Sequence, residues 1–188
     1  VLADAFQHDP FWKKLLEKAD INQKRVFFES PVRYCLKYGE VYATSEHMEG
    51  IAAWVPSDFA DMTFWRAIRS GSFSSFLKMG MKMASQSMKM KSIFEPLETD
   101  RKENMKGRVY KYLIIIGVAS EFQGRGFGRK LLRALIKESE RIGIPIYLET
   151  TTERNINMYK RLGFKVFNKI TLPIINLPQW GMARELET

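Results

Sequence analysis

With 188 residues, 45% of them apolar and 27% charged, the chain has the size and composition of one globular domain with a sizeable core, and no apolar run approaches a membrane span. Its net charge of +9 suits a polyanionic partner (nucleic acid, acidic lipid or a phosphate-bearing small ligand) and equally serves solubility. The lone Cys35 excludes an internal disulfide and fits a reducing, cytoplasmic setting, and with only two histidines beside it no metal site is expected.

No secretory signal is read, and the chain opens at Val1 rather than Met. Residues 1–19 read as helical, with Leu2, Phe6, Phe11, Leu15 and Leu16 as core contacts and Pro10 as a break. A second helix is expected over Ile21–Tyr38, interrupted near Pro31. Gly39–Pro56 reads as a hairpin with His47 at its solvated turn.

Asp58–Glu95 is rich in methionine: Met62, Met79, Met81, Met83, Met88 and Met90, with Phe64, Trp65, Phe73 and Phe76 among lysines. Two helices broken at Ser70-Gly71-Ser72 are expected. The methionines serve as core filler, line a permissive acceptor pocket, or meet a membrane or partner. Thr99–Lys106 reads as a polar loop. Tyr112–Ile116 reads as a buried strand, Ile144–Thr150 as another, and Lys165–Thr171 as a third. Pro173 and Pro178 bound a loop, and Trp180–Glu185 closes as a last strand. Strands and helices alternate in the middle while hairpins sit at the ends, which predicts an α/β (α+β) domain with a mixed sheet.

The segment between the first two of those strands carries the chemistry. Val118-Ala-Ser-Glu-Phe-Gln123-Gly124-Arg125-Gly126-Phe127-Gly128-Arg129-Lys130 joins a strand to an amphipathic helix with Leu131, Leu132, Leu135, Ile136 and Ile142 on or near one face. Glycines permit close backbone approach, and a helix start offers unpaired N–H groups and partial positive charge, so the turn suits a phosphate or pyrophosphate. A nucleotide-hydrolase loop requires Gly-Lys-Ser/Thr, and Arg129-Lys130-Leu131 follows Gly128 instead. A dinucleotide site requires G-x-G-x-x-G directly after its strand. Here the spacing is G-x-G-x-G, yet Glu149 stands about twenty residues on, where a ribose-binding acid lies, so that reading stays open.

Gln123, Gly126 and Gly128 also match the Q/R-x-x-G-x-G/A signature of the Gcn5-related N-acetyltransferases (GNAT). Asn155, Tyr159 and Gly163-Phe164 resemble the second cofactor motif of that superfamily. Within it the chain resembles the puromycin N-acetyltransferase-like branch, on Leu148-Glu149-Thr150, Asn155, Tyr159, Leu162-Gly163-Phe164 and Trp180-Gly-Met182-Ala-Arg184. The resemblance is strong over Tyr112–Arg184, weaker over Val1–Pro56 and thin over Ser57–Arg108.

The resemblance implies a single GNAT-like domain over residues 1–188, with a mixed central sheet flanked by helices and splayed central strands. Residues 57–98 form a helical insertion over the acceptor pocket, and the first strand of the family is missing. It implies acetyl-CoA as cofactor and a small-molecule amine as acceptor, with no nucleic acid and no stable membrane association; a homodimer is compatible. Gln123, Gly124 and the amides of Arg125, Gly126, Phe127, Gly128 and Arg129 hold the pyrophosphate, and Val118 and Ala119 hydrogen-bond the pantetheine arm. Asn155 is a second cofactor contact or a helix cap. Tyr159 protonates the departing sulfur or anchors packing. Glu149 acts as base through water or is a structural carboxylate. Two other classes stay open: a non-catalytic acetyl-CoA or CoA sensor, and a protein or peptide N-acetyltransferase.

Overall fold

The computed structural model describes residues 1–78 and 87–186. Short helices α1 (Leu2–Ala5) and α2 (Pro10–Leu15) open the chain. Pro10 occupies the first turn of α2, where its missing N–H costs nothing, and Asp9 caps it by accepting from the amides of Phe11 and Trp12. Helix α3 (Ile21–Tyr38) starts at a capping box of Asp20 and Gln23. It runs unbroken through Pro31, so the expected interruption is corrected. Burial of Phe27, Phe28, Tyr34 and Cys35 along α3 offsets the roughly 3 kcal/mol that an interior proline costs.

The hairpin forms as read, from β1 (Glu40–Ala43) and β2 (Gly50–Pro56), with His47 exposed in its turn. Helices α4 (Phe64–Arg69) and α5 (Ser72–Lys78) part at the predicted Ser70-Gly71 break. A further helix, α6 (Ser87–Asn104), corrects both the two-helix reading and the loop expected over Thr99–Lys106. Met90 is buried and Met62 exposed, so these methionines do not share one role; Met79, Met81 and Met83 lie outside the described residues.

Then come β3 (Lys111–Val118), α7 (Phe127–Ile142), β4 (Ile146–Thr150), α8 (Glu153–Lys160), β5 (Lys165–Leu172) and β6 (Leu177–Arg184). Leu131, Leu132 and Leu135 of α7 are buried as expected, whereas Ile142 is exposed. Pro178 stands inside β6 rather than at the boundary of the loop. At that point β6 has only β5 beside it, since β4 joins it from Trp180 onward, so the missing donor breaks no central ladder.

The six strands form one sheet in the order β1-β2-β3-β4-β6-β5, in which β3 and β4 are the parallel pair and all other neighbours run antiparallel. A doubly wound parallel sheet is therefore absent among the described residues, and the dinucleotide reading falls with it. Parallel pairing ends at Leu113↔Leu148, although β3 runs on to Val118 and β4 to Thr150. The sheet thus splays in its middle.

A bulge sits at the same place. Ala53 pairs with Ile115 and the next residue, Trp54, with Leu113, leaving Ile114 as an extra residue in β3. Leu113 accordingly joins the core under α7 and α8, while Ile115, two residues on, joins the core under α1, α2, α3 and α6. Helices cover both faces, and the sheet itself divides the two cores: Ala52 and Trp54 of β2 join one, Ala53 and Val55 the other. Among the described residues no helix is long and apolar enough to cross a membrane.

Candidate active site

At the open end of β3 the chain passes through a short helical turn, Ser120–Phe122, into the glycine-rich turn. Gly124 and Gly126 have φ of 78° and 89°, in the left-handed region where a Cβ is disfavoured by roughly 1–2 kcal/mol. A Cβ built on either meets nothing within 4 Å. The demand for glycine there comes from the backbone conformation, and the space over the turn is open. Gly126 is the N-cap of α7 and has no side chain to satisfy the first amides of the helix. Residues 123–126 and Arg129 are exposed, so those donors and the positive end of the helix dipole face solvent at a cationic rim. Arg125 stacks on Phe122, 5.6 Å from the ring centre, and Phe122 packs edge-on against Phe127. Gly128 lies inside α7, where a Cβ would touch Val118 at 3.6 Å, an ordinary contact. Lys130 turns away and donates to the carbonyl of Thr44 at 2.9 Å.

Several groups expected to meet a cofactor hold protein partners. The Nε2 of Gln123 donates to the carbonyls of Val118 (3.1 Å) and Ala5 (3.3 Å), tying α1 to the turn. The amide of Ala119 donates to the carbonyl of Glu49 at 2.8 Å. The edge that the splay bares is therefore upstream, between Ile114 and Gly117. Helix α1 lies over that stretch: a Cβ on Gly117 would come within 3.0 Å of Leu2 and Ala5.

Thr152, not Asn155, is the N-cap of α8, its hydroxyl accepting from the amide of Asn155. Asn155 sits in the first turn, and its Nδ2 donates to the hydroxyl of Thr150 at 3.3 Å, which fixes the amide at the open end of β4. Tyr159 is buried in the core under α7 and α8, against Phe164 at 5.5 Å between ring centres. Burial raises the pKa of its phenol above the usual 10, helped by the charge of Asp9 from the opposite side of the sheet. A neutral phenol so placed remains a proton donor at any physiological pH.

Glu149 follows directly on the last β3–β4 pair, at the apex of the splay. Its side chain is nine-tenths buried. Oε2 accepts from the hydroxyl of Tyr112 at 2.7 Å, and Oε1 has no donor within the protein. Desolvation pushes its carboxyl up to about 7, against the lowering effects of the Tyr112 hydrogen bond and the Arg101 charge. Glu149 is thus a carboxylate with one oxygen held, the other buried without a donor, and an affinity for protons suited to neutral pH.

Around it stands a cluster that the sequence reading missed. Arg101, 4% exposed, reaches in from α6 and lies over the Tyr112 ring at 4.7 Å. Its Nη2 meets Asp61 at 2.8 Å and its Nη1 donates to Tyr110 at 3.4 Å. One signal for it was available. Met90, Ile93, Leu97 and Arg101 repeat at helical spacing, and Glu98 and Lys102 pair four residues apart, so the helix continues through the polar stretch. Outside, Asp61, Arg101, Lys102, Arg108 and Tyr110 line an open cleft of about 260 Å³.

Residues 99–164 match the model of the acetyltransferase (GNAT) family, a stretch that contains the glycine-rich turn, Arg101, Tyr112, Glu149, Asn155 and Tyr159. Over 79 residues the chain is 38% identical to an uncharacterized N-acetyltransferase of Schizosaccharomyces pombe, covering 41% of this chain and 32% of that protein. Over 64 residues it is 41% identical to the mycothiol acetyltransferase of Propionibacterium freudenreichii subsp. shermanii, covering 32% of this chain and 19% of that one. The chain therefore matches a third or less of the length of these curated relatives. Its fold is similar to a crystal structure from Corynebacterium glutamicum of histone acetyltransferase HPA2 and related acetyltransferase, with a TM-score of 0.64 and 20% identity over 100% of this chain and 88% of that one.

Proposed function

From its membership of the GNAT acetyltransferase superfamily, we propose that this chain transfers the acetyl group of acetyl-CoA to the amine of a small molecule by direct attack. The observation that carries the reading is the pairing of two features: a glycine turn with open first-turn amides, and a buried carboxylate at the apex of the splayed strands. The donor set fits the cofactor. Amides of Arg125–Arg129 and the dipole of α7 suit a pyrophosphate, Arg125 and Arg129 add charge, and the bared edge of β3 between Ile114 and Gly117 suits the amide groups of pantetheine. When bound, acetyl-CoA supplies the thioester whose carbonyl carbon the amine attacks.

The chain's own groups then manage protons. Oε1 of Glu149 takes the proton that the amine must lose, directly or through water, while Tyr112 holds the other oxygen and fixes the orientation of the carboxylate. The Tyr159 phenol holds a proton for the departing thiolate. Asn155 steadies the end of β4 on the cofactor side. Helices α4 and α5, of which α5 packs on α3, serve in this reading as the cover of the acceptor side. Leu148-Glu149-Thr150, Tyr159 and the Trp180–Arg184 tail favour the puromycin N-acetyltransferase-like branch, and the lone buried Cys35 fits a cytoplasmic setting.

Calorimetric titration with acetyl-CoA, beside a Gly126→Trp variant, tests the reading. We expect micromolar binding by the wild type, lost in the variant, and acetylation of at least one amine in a panel of small primary amines. Absence of binding by folded wild-type protein would sink the proposal. Binding with no acetylation across the panel favours a sensor, and acetylated peptides would move the acceptor class to proteins.

A further inference from the structure

Two buried polar atoms on facing elements lack hydrogen-bond partners within the protein: Nε of Arg101 and Oε1 of Glu149. They face one another at 4.0 Å. That distance is too long for a hydrogen bond and short enough for strong attraction between charges in a dry interior. Each side chain is at least nine-tenths buried. Arg101 is itself pinned on three sides, by Asp61, by the Tyr110 hydroxyl and by the face of Tyr112. Tyr112 touches both members, its ring under the guanidinium and its hydroxyl on Oε2 of Glu149. The guanidinium is thus held beside the carboxylate without occupying the oxygen that the chemistry needs.

From this arrangement we infer that Arg101 is a positioning residue for the proposed acetyl transfer, which keeps Glu149 available as an ionised base through charge alone. The inference rests on the reading of Glu149 as base. A carboxyl this deeply buried, with no cation beside it, stays protonated well above neutrality and cannot accept the proton of an amine. A direct Arg101 hydrogen bond to Oε1 would have the opposite fault, holding the carboxylate ionised but blunting its basicity. The 4.0 Å separation avoids both. The other charged or titratable groups around the pair are Tyr112 on β3, Tyr147 on β4, Asp100 and Lys102 on α6, and Tyr110 and Asp61 from the flanking loops. Asp100 opposes ionisation of Glu149. Among the described residues, Arg101 is the cation that directly favours it.

A ¹³C NMR titration of the chain labelled at its glutamate carboxyls, with no amine or acetyl-CoA present, tests this. The Glu149 signal is the one that disappears in Glu149→Gln. Arg101→Met should raise the Glu149 midpoint by about one pH unit or more, and Arg101→Lys should restore most of the wild-type value. Arg101→Gln removes the charge with less change of polarity and gives the same reading should Arg101→Met fail to fold. The acid limb of kcat/KM for acetylation should move to higher pH with the midpoint. An unmoved midpoint in any folded, uncharged variant overturns the inference by itself. If Glu149→Gln acetylates amines as fast as the wild type, Glu149 is no base and the inference falls with that reading.

Discussion

The two ends of the proposed site are built on opposite plans. The glycine-rich turn presents backbone donors to solvent: its residues are exposed, and no side chain caps α7. At the apex of the splay, side chains from α6, β3 and β4 are gathered out of water around one carboxylate. A polyanion needs many weak donors in a fixed curve, which one contiguous segment provides. A base needs a tuned proton affinity, which requires burial and remote partners. The difference teaches that the cofactor end is a local device and the base a tertiary one.

The comparison breaks most sharply at Glu149. Glu149→Gln should lower turnover by about 10²–10⁴-fold, while calorimetry finds acetyl-CoA affinity unchanged. A loss of cofactor binding instead would merge the two ends into one. The next effect is on stability. The Glu149 carboxyl, ordinarily near 4.5, is pushed up to about 7 on folding, so folding favours its protonated form. That contribution is complete below the unfolded value and is lost as pH rises through about 7. Relative to Glu149→Gln, the wild type should therefore lose up to about 3 kcal/mol between pH 5 and pH 8, measured by urea unfolding at each pH. Parallel stability curves for the two proteins would show that the carboxyl is not desolvated. The smallest effect is expected at Tyr159. Tyr159→Phe should slow turnover about tenfold with cofactor affinity retained, because a thiolate with a pKa near 8.5 needs only modest help in leaving. Unchanged single-turnover rates would reduce Tyr159 to a packing anchor for Phe164.

The local device was legible in the sequence for the same reason that it is local. Gly124 and Gly126 announce left-handed backbone, and Pro10, the hairpin and the Ser70-Gly71 break follow from single-residue preferences. Where packing overrides preference, the sequence misled. Pro31 does not interrupt α3, because aromatic residues on either side of it are buried. The last turns of α6 look like a loop, because the residues that continue its inward face include Asp100 and Arg101, which are polar and buried. Asn155 looks like a cap, yet Thr152 stands three residues earlier with the same chemistry and takes the position. The Glu149 cluster was out of reach for a different reason. Its members are spread over positions 61, 101, 110, 112 and 149, and nothing in their spacing joins them before the sheet forms.

The extra residue Ile114 in β3 works as a slip of phase. Leu113 faces the core beneath α7 and α8, whereas Ile115, two residues on, faces the core on the other side of the sheet and Ile116 returns to the first. Deleting Ile114 would remove the bulge and leave every later residue of the strand in its present layer, now in uninterrupted alternation; what would be lost is the bend and added twist that the bulge gives β3 at the apex of the splay. The irregularity thus sets the direction of the strand rather than which core its residues address. The site therefore inherits its geometry from a count of residues as much as from their kinds.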